Sequence, residues 1–403
     1  MAAAPTNQHD SDGPDPEKAS SAAQIEPKTG ATAVVDAATE RRVVRKLDFR
    51  IVPLVSFLSG FGPGIPYLLS FFYLRHELGF RSGLFLAGIR PLATCFSGAL
   101  AYGITSGHPD LPNWRLLFLV EGLPTILMAP VAYFFLPDTP QHARFLTPPE
   151  KAAATARGVR QVGDEPAARV GGLHWPDVAA TLRDPKPWLT ALMYFSCNVS
   201  YASLPVFRAP FFLSACLTVL TTWVADRTRQ RGLVIIGLCL VASAGYVLLA
   251  TCRGVAARYA GVFLAAAGVF PAIGNILPWV MNNQGTDSRR GAGMVMLNAI
   301  GQCGPLLGTN IFPARERPYY GRGQAVCAAF MFFTALLALA LRALLRRENR
   351  ALDRRYGTLD EQQQRARAAA AAAQSSQSSP KETEEEEAAA AVENYGPMFR
   401  YIL

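Results

Sequence analysis

Apolar residues arrive along this chain in long uncharged blocks separated by short polar segments. Nine stretches, near residues 51–74, 83–105, 116–136, 187–207, 209–225, 233–251, 258–281, 291–313 and 324–345, carry mostly apolar residues. Each is about the 20 residues that a helix rising 1.5 Å per residue needs to cross a hydrocarbon core. Barrel strands would instead alternate over about 10 residues. The pattern predicts an all-α polytopic transmembrane helix bundle.

The charges between the blocks predict its topology. The polar stretch 137–186 holds Arg144, Lys151, Arg157, Arg160, Arg169, Arg183 and Lys186, which the positive-inside rule places in the cytoplasm. Counting forward, ADRTRQRG at 225–232, DSRR at 287–290 and the tail from RRENR at 346 fall inside as well, although Arg253, Arg258, Arg315, Arg317 and Arg322 sit in loops that would face out. Counting backward produces a conflict. LRHELGFRSG at 74–83 is inside, so a single span before it strands Arg41, Arg42, Arg45, Lys46 and Arg50 on the wrong face. Either 51–74 folds as a re-entrant hairpin covered by protein, or spans are missing. Pro53, Gly60, Gly62, Pro63, Gly64 and Pro66 make that block a poor continuous helix.

Composition narrows the class further. Of 403 residues, 50% are hydrophobic and 17% charged, against about a quarter charged in soluble domains. The net charge of +9 would suggest a nucleic-acid partner in a soluble protein. Here the basic residues cluster between apolar blocks, so no nucleic acid is expected. Cys95, Cys197, Cys216, Cys239, Cys252, Cys303 and Cys327 are scattered without a C-x-x-C pair or a histidine at zinc spacing. They read as small buried apolar residues, and neither metal nor cofactor is expected. The first 21 residues lack the basic and short apolar regions of a secretory signal, which leaves targeting to the first span. No HExxH, Walker A, G-x-S-x-G or dinucleotide fingerprint is present, so the chain does not read as an enzyme. A seven-span receptor does not fit the number of blocks.

Eight strings, in order, resemble the major facilitator superfamily, and within it the anion:cation symporter group that contains the allantoate, nicotinate, pantothenate and vitamin H permeases of fungi. They are RKLDFRIVPL at 45–54, PGIPYLLSFFYLRHELGFRSGLF at 63–85, NWRLLFLVEGLPTIL at 113–127, FLPDTPQHARFLTPPEK at 135–151, RDPKPWLTALMYFSCNVSYASLP at 183–205, WVADRTRQRG at 223–232, WVMNNQGTDSRRGAGMVMLNAIGQCGPLLGTNIF at 279–312 and FRYIL at 399–403. The resemblance implies twelve spans in two six-helix halves with both termini cytoplasmic. Against that pattern, LVSFLSG at 54–60 runs straight into the element that opens span four, as if spans two and three were absent, and a smaller loss lies near 207–216. The implied organisation is a disordered cytosolic tail with a basic run at 1–50, a truncated N-terminal transmembrane half at 51–136 and a central cytoplasmic loop at 137–186. A C-terminal transmembrane half at 187–346 and a disordered cytosolic tail at 347–403 follow.

Superfamily members alternate access to a midplane site between their halves, and polar residues at membrane depth are costly unless they face a cavity or a partner. Arg90, inside LFLAGIRPLATCF, offers a bidentate fork to a carboxylate, or marks a locally altered span. Glu121 is either a proton carrier or a structural partner of Arg115. Asn198, and Asn298 with Gln302 four residues on, are candidates for substrate binding or for interhelical hydrogen bonds. The last two share a helix face beside Gly301, Gly304 and Gly308, and that face is expected to look inward. Asp226, Arg227, Arg229 and Arg231 resemble the second-half counterpart of the superfamily's loop-gating motif, with a plain positive-inside anchor as the other reading.

These readings lead to a secondary-active transporter in the plasma membrane, coupling protons to a small organic anion such as a vitamin carboxylate or ureide, and working as a monomer in the lipid bilayer. The competing expectation is a truncated fragment that does not transport.

Overall fold

Because hydrocarbon offers no hydrogen-bond partners, an apolar block satisfies its backbone internally and folds as a helix. The computed structural model describes residues 37–57, 64–88, 112–137, 140–162, 175–204, 208–285, 287–316, 319–358 and 399–403, with isolated positions near 100–107 and 360–364, all within the unit Val35–Leu403. Its helices are α1 Ala37–Phe57, α2 Gly64–Leu69, α3 Arg75–Gly88, α4 Asn113–Phe135, α5 Pro148–Val162, α6 Trp175–Arg183, α7 Pro185–Tyr201, α8 Arg208–Thr228, α9 Arg231–Thr251, α10 Val255–Asn282, α11 Asp287–Gly301, α12 Gly304–Asn310 and α13 Gly321–Tyr356. No strand occurs among the described residues. The expected all-α bundle is what forms.

Local chemistry sets several boundaries. Asp184 caps α7, its carboxylate accepting from the Lys186 N–H at 3.0 Å, with proline in the first turn. The expected span 291–313 is broken at Gln302 and Cys303 into α11 and α12. Among the described residues, three helices suit a membrane crossing by length and composition: α9, α10 and the apolar part of α13. With 36 residues, α13 is about 54 Å long at 1.5 Å per residue and outruns a hydrocarbon core.

The core gathers around α10, which packs on α9, α8, α7 and α3, while α9 and α7 both lie against α13 and α7 also covers α11 and α12. Trp279, Tyr246, Met193, Ile235, Ile276 and Leu297 are fully buried there. In contrast, α4 keeps Phe118, Ile126 and Tyr133 at 71%, 72% and 83% exposure. Large apolar side chains left exposed along a helix suit contact with hydrocarbon.

The described parts of the block 51–74 are short and irregular. Its first residues end α1, α2 is six residues long, and 70–73 form tight turns such as Phe71 N–H to Leu68 O and Phe72 N–H to Leu69 O, both 3.1 Å. Helix α1 instead crosses α5, with Lys46 Nζ 2.7 Å from Glu150 Oε1, and meets α3 where Arg81 Nη2 donates to Asp48 Oδ2 at 2.8 Å. The basic run therefore lies beside the polar stretch 137–186.

Candidate functional site

Helix α8 turns into α9 through only Arg229 and Gln230, with Arg229 in the left-handed region at φ 55°. That tight turn carries the Asp226 carboxylate onto the guanidinium of Arg231, whose side chain is 1% exposed. Asp226 also accepts from the backbone N–H of Phe80 on α3. One carboxylate thus ties the α8–α9 turn to a helix from the other half of the sequence. Helix α3 comes this close because of two glycines. A Cβ on Gly79 would overlap the Asp226–Arg231 pair, and one on Gly83 would overlap the Thr222 side chain. The spacing Gly79-x-x-x-Gly83 is a small-residue contact motif. It stands in the sequence, but nothing local says which helix it meets.

The four proposed gating residues separate accordingly. Asp226 and Arg231 form the buried pair, while Arg227 and Arg229 are exposed, Arg227 sitting 5.7 Å above the Trp223 ring. Arg231 Nε and Nη1 are buried without hydrogen-bond partners among the described residues, which makes Asp226 the principal partner of that charge.

At membrane depth the amide side chains divide too. Asn198 is buried and donates to Gly301 O at 3.0 Å, a bond between α7 and α11. Asn298 donates to Met294 O of its own helix at 2.8 Å, leaving a buried Oδ1 with no partner among the described residues. Gln302 is exposed at the break after α11. The glycines beside them make the interhelical contact. An added Cβ on Gly301 would overlap the Tyr194 ring, and those on Gly304 and Gly308 would fall 2.6 Å from Phe195 O and 2.5 Å from Val199 O, all on α7. The inward-looking face expected for this whole group is thus only partly realised, because the glycines turn to α7 and Gln302 does not follow them. Arg90 lies outside the described residues, as does the side chain of Glu121.

Asn275 is absent from the candidates that the sequence offered. It is fully buried in the middle of α10, donates to Pro271 O at 2.9 Å and to Thr221 Oγ1 of α8 at 3.3 Å, and keeps Oδ1 without a partner among the described residues. Ser214, Thr218 and Thr222 are buried on α8, and a Cβ on Gly274, next to Asn275, would overlap the Thr218 side chain. The available signal was an asparagine in the middle of the apolar block 258–281, which is costly in a bilayer unless employed.

At the opposite end of the bundle, a pocket of about 680 Å³ is lined by Arg253, Arg258, Arg315 and Arg322, with Glu316 as the one carboxylate in its lining among the described residues. Tyr319 stands between Arg253 and Arg258, whose guanidinium carbons lie 5.9 Å and 5.1 Å from its ring centre. A buried Arg258 Nη1 has no hydrogen-bond partner among the described residues. These are arginines that the positive-inside rule leaves unexplained.

Among the described residues no group of three or more histidine, cysteine, aspartate or glutamate side chains could hold a metal. The cysteines are not uniformly buried: Cys197, Cys239 and Cys327 are, whereas Cys216 and Cys303 are exposed.

Comparison with known proteins gives this geometry its context. The chain is 30% identical over 349 residues to the MFS transporter prlL of a Fungal sp., covering 78% of this chain and 68% of that protein. The Major facilitator-type transporter hxnP of Emericella nidulans is 28% identical, covering 77% and 66%, and the High-affinity nicotinic acid transporter of Saccharomyces cerevisiae 24% identical, covering 71% and 57%. The chain thus spans about two thirds of the length of the curated relatives it matches. Among solved structures, the proton:xylose symporter XylE bound to 6-bromo-6-deoxy-D-glucose aligns with a TM-score of 0.48 at 14% identity, covering 68% of this chain and 66% of that one. The profile of the Major Facilitator Superfamily matches residues 48–309. A multi-pass membrane protein of packed helices, the chain belongs to the Major Facilitator Superfamily, a family of transporters and not of enzymes.

Proposed function

We propose that this protein is a secondary-active transporter of a small organic anion, driven by protons, in the anion:cation symporter manner. The observation that carries the reading is the arginine pocket. Among its described lining residues, four guanidiniums against one carboxylate concentrate anions at the mouth opposite the α8–α9 turn. On this reading that mouth faces outward and the α8–α9 turn faces the cytoplasm of a cell whose plasma membrane holds the protein.

Within the bundle, Asn275 and Asn298, each with an available buried carbonyl oxygen, receive hydrogen-bond donors of the cargo or of its water, with Arg90 supplying the carboxylate fork. Asn198 ties α7 to α11. Asp226 and Arg231 form the cytoplasmic gate across which α3 docks. Glu121 is the sole carboxylate within any of the apolar blocks, which makes it the proton carrier of this reading, since coupling needs one group that loads and releases a proton within the membrane. The nicotinic acid transporter among the relatives favours an aromatic or vitamin-like monocarboxylate.

The test is uptake of radiolabelled nicotinate, pantothenate and allantoate into proteoliposomes under an imposed inward proton gradient. Stimulated uptake of one of them, lost in Glu121→Gln, is expected. Absence of stimulation for every carboxylate offered refutes the reading and leaves a non-transporting fragment in its place.

A further inference from the structure

Residues Phe399–Leu403 lie in a groove formed by the ends of four helices. Each of two asparagines grips one peptide residue by both backbone groups. Asn349 of α13 donates to Tyr401 O at 2.9 Å and accepts from Tyr401 N–H at 2.8 Å. Asn283, just past α10, donates to Ile402 O at 3.1 Å and accepts from Ile402 N–H at 2.9 Å. Trp279 Nε1 adds a second donor to Ile402 O at 2.8 Å, and the Gly232 N–H at the start of α9 donates to Leu403 O at 3.1 Å. The side chains are also received. Lys186 of α7 lies 4.7 Å over the Tyr401 ring and donates to its hydroxyl at 3.3 Å, while Arg400 pairs with Asp353 at 2.7 Å and donates to Gly357 O at 2.8 Å. Tyr401 and Leu403 pack against the buried core.

This arrangement has the features of peptide recognition. Paired donors and acceptors read a backbone without regard to sequence, while a cation–π seat and an ion pair read the side chains. The floor of the groove adjoins the gate. Gly232 follows Arg231 directly, and a Cβ on it would sit 3.1 Å from Arg342 Cδ and 3.2 Å from Trp279 Cη2. Arg342 in turn donates to Gln230 of the α8–α9 turn at 2.8 Å.

We propose that the ends of α7, α9, α10 and α13 form a peptide-binding groove, that residues 399–403 occupy it in cis, and that this occupancy holds the Asp226–Arg231 closure against α3. The closure element rests on the gating assignment above, whereas the groove stands without it. The binding experiment is independent of transport, so failure of the uptake assay leaves it intact.

The test uses purified full-length chain in detergent micelles beside a chain lacking residues 399–403, with a fluorescent Phe-Arg-Tyr-Ile-Leu peptide as the probe. Saturable anisotropy change is expected with the shortened chain, and at least tenfold weaker binding with the full chain, whose groove is already filled. No saturable binding to the shortened chain, or equal binding to both, overturns the proposal. Should the shortened chain not fold, full-length Asn283→Ala/Asn349→Ala supplies the second measurement. Trypsin cleavage after Arg400, whose side chain is 11% exposed, is then expected to accelerate about tenfold as the segment detaches, since cleavage follows the open population. An unchanged cleavage rate overturns the groove. For the closure, Thr222→Cys, buried against α3, is expected to react at least fivefold faster with a thiol reagent once the segment is absent or released, and an unchanged rate refutes the link to the gate.

Discussion

Replacing Asp226 by asparagine keeps the shape of the side chain and removes the charge facing Arg231. The cost follows from the burial of the pair. Arg231 is 1% and Asp226 12% exposed in their side chains, and the remaining guanidinium nitrogens of Arg231 that are buried find no partner among the described residues. The substitution therefore leaves a desolvated cation without its counterion, a change worth about 3–5 kcal/mol when one partner of a buried pair is removed. A chain of this size shifts its midpoint by about 2 °C per kcal/mol, so Asp226→Asn is expected to melt about 6–10 °C lower in detergent. The double variant Asp226→Asn/Arg231→Met removes the charge together with its counterion and is expected to recover most of that loss, with a coupling of about 3 kcal/mol across the double-mutant cycle. Thermal unfolding followed by circular dichroism on all four proteins measures it. Strictly additive effects, or an Asp226→Asn midpoint within about 1 °C of the parent, would refute the idea that this pair is a coupled buried closure.

Three further outcomes are expected. Gly268→Ala drives a Cβ into the Leu238 carbonyl where α10 crosses α9, costing about 1–3 kcal/mol by overpacking, whereas Gly237→Ala, with nothing within 4 Å, is expected to be neutral or stabilising in the same melting assay. The Lys46 ammonium, helped by the Thr147 N–H, holds the Glu150 carboxyl down to about 2. That contribution is complete above the ordinary carboxyl pKa near 4.5 and is lost as pH falls from there toward 2. The difference in melting point between parent and Glu150→Gln should accordingly shrink over that interval and stay constant from about pH 6 to 8. Neutralising the arginine pocket with Arg253→Gln/Arg258→Gln is expected to raise KM for the proposed anion about fivefold at low salt with kcat little changed, the effect fading as ionic strength rises. A KM independent of salt in both proteins would remove the pocket from the entry route.

The Asp226–Arg231 pair is partly legible in the sequence. An aspartate within ADRTRQRG is not explained by topology, and it does find an arginine. Which arginine cannot be read there, because Arg227, Arg229 and Arg231 are equivalent in a linear motif. The choice depends on the left-handed turn at Arg229 and on the glycine-faced α3 pressing from outside. Asn198 is legible as a polar group in a span, but its partner, a backbone carbonyl on α11, is 103 residues away. Asn275 meets the same criterion as Asn198 and stands outside the sequence candidates all the same. The block 51–74 is suspect from its prolines and glycines, yet the resting place of the basic run on α5 needs the Lys46–Glu150 contact.

What the residues alone determined was the material of the protein: uncharged blocks long enough for hydrocarbon, which must become helices because a bilayer leaves backbone groups no other partner, and a family whose strings appear in order. Periodicity and composition act over one or two turns of chain, and they carry that information locally. Pairing across more than a hundred residues is set by which surfaces happen to fit. It was therefore the tertiary structure that decided which arginine is buried beside Asp226, which glycines admit a neighbouring helix, and that the five residues 399–403 lie between the ends of four helices.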